Sequence, residues 1–320
     1  MKLQELYKQY TSGELEKHSY IKAMHEKHQL IFDYFDYIKD TDIFSITIDN
    51  DKVYVTIKES GIKLFLDPFD SRFIPIEILN FKSFDPVERD LIFALARKSQ
   101  TIFDIGANIG WYTLNFCMLD NVQTVHSFEP IPRTFDFLTR HVQFNACNKA
   151  VLNNFALSNH RGETEFYWNV KETGSSSMKN IQEREDSNRV VCQLRTLDEY
   201  AREKNVYIDM IKCDVEGSEL LVFQGGENTI SRDKPFIFTE MLRKWAAKFG
   251  YHPNDIIKLL SDIGYECFAY VDEKIEKFTS VTPDTLPTNF FFFHCDKHKH
   301  DIAMLTKSLD HPLCSDVSAF

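Results

Sequence analysis

The sequence is short of basic charge: 37 Lys and Arg stand against 48 Asp and Glu, for a net charge of −11. Binding nucleic-acid phosphates or anionic lipid requires a basic footprint, so neither is the expected main business of the chain, a local patch aside. Long apolar runs are also missing. The longest near the C-terminus, Phe290 to Phe293, has four residues; a membrane span takes about 20, so none is expected. Clustered cysteines are absent as well. Cys117, Cys147, Cys192, Cys213, Cys267, Cys295 and Cys314 are dispersed without a C-x-x-C pair. That pattern reads as reduced thiols and a cytoplasmic setting. The opening MKLQELYKQY lacks the apolar segment of a secretory signal, which points the same way.

What is present suits a globular chain. Of its 320 residues, 43% are hydrophobic and 27% charged, and 28 Phe supply material for a sizeable core. The length fits one large α/β domain with an N-terminal extension. We divide it into an extension over 1–80, a main domain over 81–296 and a C-terminal tail over 297–320.

Local patterns support this division. Leu3, Leu6, Tyr7 and Tyr10 recur at helical spacing until Gly13 interrupts. Met24, Ile31, Tyr34, Phe35 and Ile38 form a second stripe, to be buried against the main domain or a partner chain. A homo-oligomer through these helices is therefore one expectation. Ile46 and Ile48, then Val53, Val55 and Ile57, alternate with polar residues around Asp49-Asn50-Asp51-Lys52 and predict a hairpin. Asp85-Pro86-Val87-Glu88 reads as a capped helix start running to Lys98.

From Thr101 onward, strands and helices alternate. The strands expected are Ile102–Asp104, Thr124–Phe128, Val151–Ala156, Met210–Asp214 and Phe236–Glu240. This calls for a mainly parallel sheet with helices on both faces. Tyr265–Val271 and Asn289–His294 have no helix between them and should pair antiparallel. Lys171 to Asn188 reads as a loop.

The most informative segment is TIFDIGANIGWYTL. A strand ends in Asp104, Gly106 and Gly110 make a tight turn, and a helix begins. Glycines admit close backbone approach, and the helix start offers free N–H groups. Glu129 follows 23 residues after Gly106, at the tip of the next strand, where an acid can accept both ribose hydroxyls. A dinucleotide is one candidate ligand. The G-x-G-x-x-G pattern fails, however, because Asn108 and Trp111 stand where glycines belong. S-adenosylmethionine has no phosphate to accommodate, and its ammonium group favours a carboxylate such as Asp104.

Here the sequence resembles the FkbM family of methyltransferases. The resemblance rests on DIGANIGWYT at 104–113, FEP at 128–130, GSSSM at 174–178 and IKCDVEGSELLVFQGG at 211–226. It runs from about Thr101 to His294. It implies a Rossmann-like class I methyltransferase fold, with a seven-stranded, mainly parallel sheet and an antiparallel last strand. It also implies O-methylation, often of sugar hydroxyls in glycans and in surface-polysaccharide synthesis. Cofactor contacts are then expected at Asp104, Gly106, Asn108, Gly110, Trp111, Glu129, Pro130, Ala156, Leu157 and Ser176.

In such a sheet, ligands bind beyond the strand carboxyl ends. Asp214, Glu216 and Glu240 should converge there. They would serve as a general base for the attacking hydroxyl, or Asp214 and Glu240 would hold a cation such as Mg²⁺. Glu219 reads as a structural helix-start acid, His126 as a core histidine, and Lys212 as either a contributed charge or a sheet edge or face residue. Arg243, Lys244 and Trp245 are candidates for an acceptor groove. His294, Cys295, His298 and His300 match no standard zinc spacing. Two rival functions remain at this point: a nicotinamide-dependent oxidoreductase on the same sheet, and a non-catalytic scaffold that holds a partner through the N-terminal helices.

Overall fold

The computed structural model describes residues 2–271 and 274–307. Cys314 and the end of the expected tail lie outside them. The chain opens with α1 (Leu3–Thr11) and α2 (Lys17–Tyr37). The turn between them passes through Gly13 at a φ of 80°, and Tyr10 stacks on Tyr20 with ring centroids 4.5 Å apart. Leu6 is buried on α1, but no residue of α2 is. The apolar stripe of α2 is thus not buried against the rest of the chain.

Strands β1 (Ile43–Ile48), β2 (Val53–Ile57) and β3 (Lys63–Phe65) form an antiparallel sheet. The expected hairpin joins β1 to β2. Asp49 Oδ1 closes its turn by accepting the backbone N–H groups of Asp51 and Lys52, each at 2.8 Å. Val55, Ile57 and Leu64 from this small sheet pack into the same core as the main domain. Helices α3 (Ile74–Phe81) and α4 (Arg89–Ala96) follow. The helix expected from Asp85 to Lys98 is therefore shorter at both ends. Asp85 adopts a left-handed φ of 46°, and its carboxylate accepts the Tyr112 hydroxyl at 2.6 Å instead of capping a helix.

The main domain continues as β4 (Thr101–Ile105), α5 (Trp111–Cys117), β5 (Thr124–Phe128), α6 (Pro132–Phe144) and β6 (Ala150–Asn153). Next come β7 (Ala156–Leu157), β8 (Gly162–Trp168), β9 (Asn188–Arg195), α7 (Leu197–Lys204) and β10 (Met210–Cys213). The remainder is α8 (Glu219–Gln224), α9 (Glu227–Asp233), β11 (Phe236–Glu240), α10 (Arg243–Lys248), α11 (Pro253–Asp262), β12 (Tyr265–Val271), β13 (Lys274–Phe278), β14 (Asn289–His294) and α12 (Lys299–Lys307).

The large sheet has the order β13-β12-β14-β11-β10-β4-β5-β6. Strands β6, β5, β4, β10 and β11 run parallel, and β14 pairs antiparallel with both β11 and β12. This agrees with the sheet that the resemblance implies, with two differences. It has eight strands rather than seven, because β13 adds an edge to β12. The third parallel strand stops at Asn153, and Ala156 and Leu157 belong to a separate sheet of order β7-β9-β8.

Layering explains the apolar runs. Phe290, Phe291, Phe292 and Phe293 are all buried because β14 is covered on both faces. Their rings alternate: Phe291 and Phe293 join Ile102 and Met210 on one side, Phe290 and Phe292 join Phe103 and Ile211 on the other.

Candidate active site

After β4 the chain builds outward to β5 and β6, then crosses over to β10 and β11 on the other flank. Connections diverging from neighbouring strand ends leave a crevice at such a switch point. Here it is a cavity of about 300 Å³. Gly106, Asn108 and Trp111 line it from the turn after β4, and Glu129 and Pro130 from the end of β5. Ala156, Leu157, Ser176, Asp214, Glu216 and Glu240 complete the expected set. Asp104 and Gly110 do not line it.

The glycine turn shows why. Gly106 has a φ of 78°, and a Cβ there would lie 1.8 Å from the Asp214 carbonyl oxygen. No side chain fits, and the turn is pressed against the end of β10. Gly110 serves packing instead: a Cβ would meet Leu138 Cδ1 of α6 at 2.6 Å. Asp104 is fully buried behind the cavity wall. Its Oδ2 accepts the Thr113 hydroxyl at 2.6 Å, and its Oδ1 lies 3.5 Å from Lys212 Nζ. Asp104 therefore faces inward and not into the cavity expected to hold an ammonium group: Thr113 takes Oδ2, while Oδ1 lies near Lys212 without accepting a hydrogen bond.

Lys212 is the centre of this arrangement and not a sheet-edge residue. It sits opposite Asp104 in the β10–β4 pairing, donates to the Gly106 carbonyl at 2.9 Å, and lies 3.8 Å from Asp214 Oδ2. Burial alone would lower its pKa, but Asp104 and Asp214 overcome that and hold it above the usual lysine value. One cation therefore ties the glycine turn to the acidic loop.

Glu129 is buried at the tip of β5. It accepts the Asn108 N–H on Oε2 at 3.1 Å and the Ile131 N–H on Oε1 at 2.8 Å. A carboxylate has about four acceptor sites, so capacity for ligand hydroxyls remains. Burial raises its pKa from the ordinary 4.5 to about 7. Three other wall residues are incompletely satisfied, Asp214 among them through Oδ1. Asn108 Oδ1 and Trp111 Nε1 are buried without a hydrogen-bond partner. Orphaned polar atoms beside a cavity are what a missing ligand leaves behind.

The acids converge as expected. Asp214, Glu216 and Glu240 each present an oxygen within 4.8 Å of the others. Among the described residues, no other such group of three possible metal ligands occurs. Burial, and then the charge of Asp214, push Glu216 and Glu240 well above the usual carboxylate range. Glu216 reaches this position with a left-handed φ of 53°, followed by Gly217 at 98°. Glu219 holds the loop in place. Its Oε1 accepts the N–H groups of Val215 and Gly217 at 3.1 and 3.0 Å, and its Oε2 accepts the Tyr251 hydroxyl at 3.1 Å.

Several cavity residues escaped the sequence reading. Asp85 and Tyr112 face the acids, and Asn289 sits opposite Glu240 in the β11–β14 pairing. Burial raises the Asp85 pKa to about 6. The signal at Asp85 was masked by Pro86, which reads as a helix start. Thr173 is another such residue, lining the cavity beside Gly174, Ser175 and Ser176 of the expected serine cluster. Asp70, far earlier in the chain, fixes this loop: its Oδ2 accepts the Thr173 N–H at 3.0 Å and the Thr173 hydroxyl at 2.5 Å. Ser177 is turned inward, donating to the Glu216 carbonyl at 2.8 Å.

Other candidates lie elsewhere. Arg243, Lys244 and Trp245 do not line the cavity. Arg243 binds the Pro283 carbonyl at 2.8 Å, and Trp245 packs against Gly217. His126 is a core residue bonded to the Tyr200 hydroxyl at 2.8 Å. His298 stacks on Phe236 and accepts the His294 N–H.

Comparison with known proteins identifies the family. The family model for the methyltransferase FkbM domain matches residues 104–267. The chain is similar to the hexuronic acid methyltransferase AglP of Haloferax volcanii, 28% identical over 188 residues, which span 55% of this chain and 68% of that protein. It is also similar to the 2-O-methyltransferase NoeI of Sinorhizobium fredii, 25% identical over 168 residues, covering 48% and 68% respectively. Among solved structures, a methyltransferase FkbM from Methylobacillus flagellatus aligns with a TM-score of 0.39 and 17% identity. That alignment covers 61% of this chain and less than half, 44%, of the other.

Proposed function

The chain belongs to the FkbM methyltransferase family, and from that premise we propose that it is an S-adenosylmethionine-dependent O-methyltransferase acting on a hydroxyl of a sugar or glycan. The observation that carries the reading is the unfinished wall of the cavity. Asn108 Oδ1 and Trp111 Nε1 are buried and unpartnered beside Glu129, which keeps free acceptor sites. These groups suit a nucleoside: Glu129 for ribose hydroxyls, with apolar Ala156 and Leu157 beside the base. Gly106, Asn108, Pro130 and Ser176 are assigned to the same ligand. When bound, the cofactor supplies a methyl group on a positively charged sulfur.

The chain's own task is to deliver an oxygen nucleophile and remove its proton. A neutral sugar hydroxyl attacks poorly, so a nearby base lowers the barrier. Burial and the charge of Asp214 raise Glu216 and Glu240 above the usual carboxylate range, which favours their protonated forms. An ionised member accepts the hydroxyl proton, while a protonated neighbour donates a hydrogen bond that orients the oxygen. Positioning supplies much of the remaining acceleration. The same oxygens are hard donors suited to Mg²⁺, which would lower the hydroxyl pKa instead.

The names of the relatives support the acceptor class. One is a methyltransferase of hexuronic acid, and the other is a 2-O-methyltransferase. A role in cytoplasmic steps of polysaccharide synthesis is part of this reading. The test is turnover of labelled S-adenosylmethionine against a panel of glycans and nucleotide sugars, with and without EDTA. Transfer that survives EDTA assigns the proton to the acids alone. Transfer lost in EDTA and restored by Mg²⁺ assigns a cation. Absence of cofactor binding by calorimetry would sink the proposal.

A further inference from the structure

Helix α2 is 21 residues long and buries none of them. Helix α1 covers only its beginning, through the Tyr10–Tyr20 stack. From His25 to Tyr37 every residue is exposed. That stretch includes Leu30, Ile31, Phe32, Tyr34, Phe35 and Tyr37, with Ile31 at 64% and Phe35 at 62% exposure. Isolated helices gain little stability from propensity alone, so an uncovered apolar face of this size marks a contact surface.

The charges indicate what covers it. The first half of α2 carries Lys17, Lys22 and Lys27 against one acid, Glu26. The second half carries Asp33 and Asp36 with no Lys or Arg, and Lys39 beyond the helix pairs with Asp36. The first turn has no acid and the last turn no base. This distribution opposes the helix macrodipole, which favours acids at the N-terminus and bases at the C-terminus. It is unfavourable for α2 alone and favourable for two copies side by side in opposite directions. The aspartate half around Ile31 and Phe35 also disfavours an anionic membrane surface.

We propose that two copies of this chain associate through antiparallel α2 helices about a twofold axis. The lysine half of each helix then lies beside the aspartate half of the other. The bare aromatic half of one copy meets the half flanked by α1 of its partner, where Leu3 and Tyr7 are themselves 46% and 58% exposed. Such an interface is self-complementary and closed.

Light scattering on the full chain after size exclusion tests this, and the expected species is a dimer. Ile31→Glu and Phe35→Glu should each weaken it by roughly a hundredfold, because a charge is buried unpaired. Both positions are exposed in the single chain, so near-UV circular dichroism of the main domain should stay unchanged, and melting should fall only by what the lost association contributed. Asp33→Lys/Asp36→Lys should weaken the dimer about threefold to tenfold, and adding Lys22→Glu/Lys27→Glu should restore it. A parallel pair would show neither effect. A chain that remains monomeric at about 100 μM overturns the proposal. So does a dimer indifferent to Ile31→Glu, one unmoved by the aspartate reversals, or a monomer that floats with phosphatidylglycerol vesicles.

Discussion

Replacing Glu129 with Gln should stabilise the unliganded protein at pH 8 while weakening its grip on cofactor. Burial raises the Glu129 pKa from 4.5 to about 7. Below pH 4.5, both folded and unfolded chains carry the proton, and folding bears no penalty. Between 4.5 and 7 the unfolded chain ionises first, so stability is lost as pH rises. Above 7 the loss is complete, about 3 kcal/mol at 1.36 kcal/mol per unit. Gln removes that penalty. It can satisfy only one of the two backbone donors that Glu129 accepts, from Asn108 and Ile131, which costs about 1 kcal/mol. The net gain at pH 8 is about 2 kcal/mol, or roughly 3 °C in melting temperature for a chain of 320 residues. At pH 4.5 the sign reverses, and the variant melts slightly below the wild type. Cofactor binding moves the other way. Two charge-assisted hydrogen bonds weaken, for roughly tenfold to hundredfold lower affinity at pH 8. Melting curves at pH 4.5 and 8, with calorimetric titration of S-adenosylmethionine, read both effects. A melting difference of the same sign and size at both pH values would refute the burial argument. Unchanged cofactor affinity would refute the ribose assignment.

Other substitutions probe the remaining parts. Gly106→Ala places a methyl group against the Asp214 carbonyl at a left-handed φ; we expect a loss of about 3 kcal/mol or more, seen as low soluble yield or a depressed melting temperature. Asp70→Ala frees the serine loop from its Thr173 anchor, and steady-state kinetics should show KM raised about tenfold with kcat within a few fold. Asp214→Asn should lower kcat by about 10² to 10³ while calorimetry finds cofactor affinity little changed. The cavity is lined by six acids, Glu77, Asp85, Glu129, Asp214, Glu216 and Glu240, against two bases, Arg72 and Lys212. A neutral glycan should therefore be methylated at least about tenfold more efficiently than its uronate counterpart, in competition assays without added metal.

The sheet was legible where one segment carried its own evidence. β4, β5, β10 and β11 are apolar runs ending in or beside an acid or a turn, and each was found within a residue or two. Strand β13 was missed because Lys-Ile-Glu-Lys-Phe buries only Ile275 and otherwise resembles an exposed loop. The third strand was overextended because Asn154 and Phe155 carry no strong turn signal, so Ala156 appeared continuous with Val151. Lys212 was placed only in part, for a deeper reason. A lysine within an apolar strand reads as an edge when taken alone. Its burial makes sense only beside Asp104 of a neighbouring strand, a pairing more than a hundred positions away in sequence. Asp85 and Asp70 share this difficulty, since their partners Tyr112 and Thr173 are contributed by other elements.

The Asp70–Thr173 tie has a practical corollary. The serine-rich rim of the crevice is moored to a carboxylate that precedes the segment shared with the family. Anyone trimming this chain to residues 104–267, or grafting that stretch onto a sister enzyme, would carry over the hearth without the latch on its door.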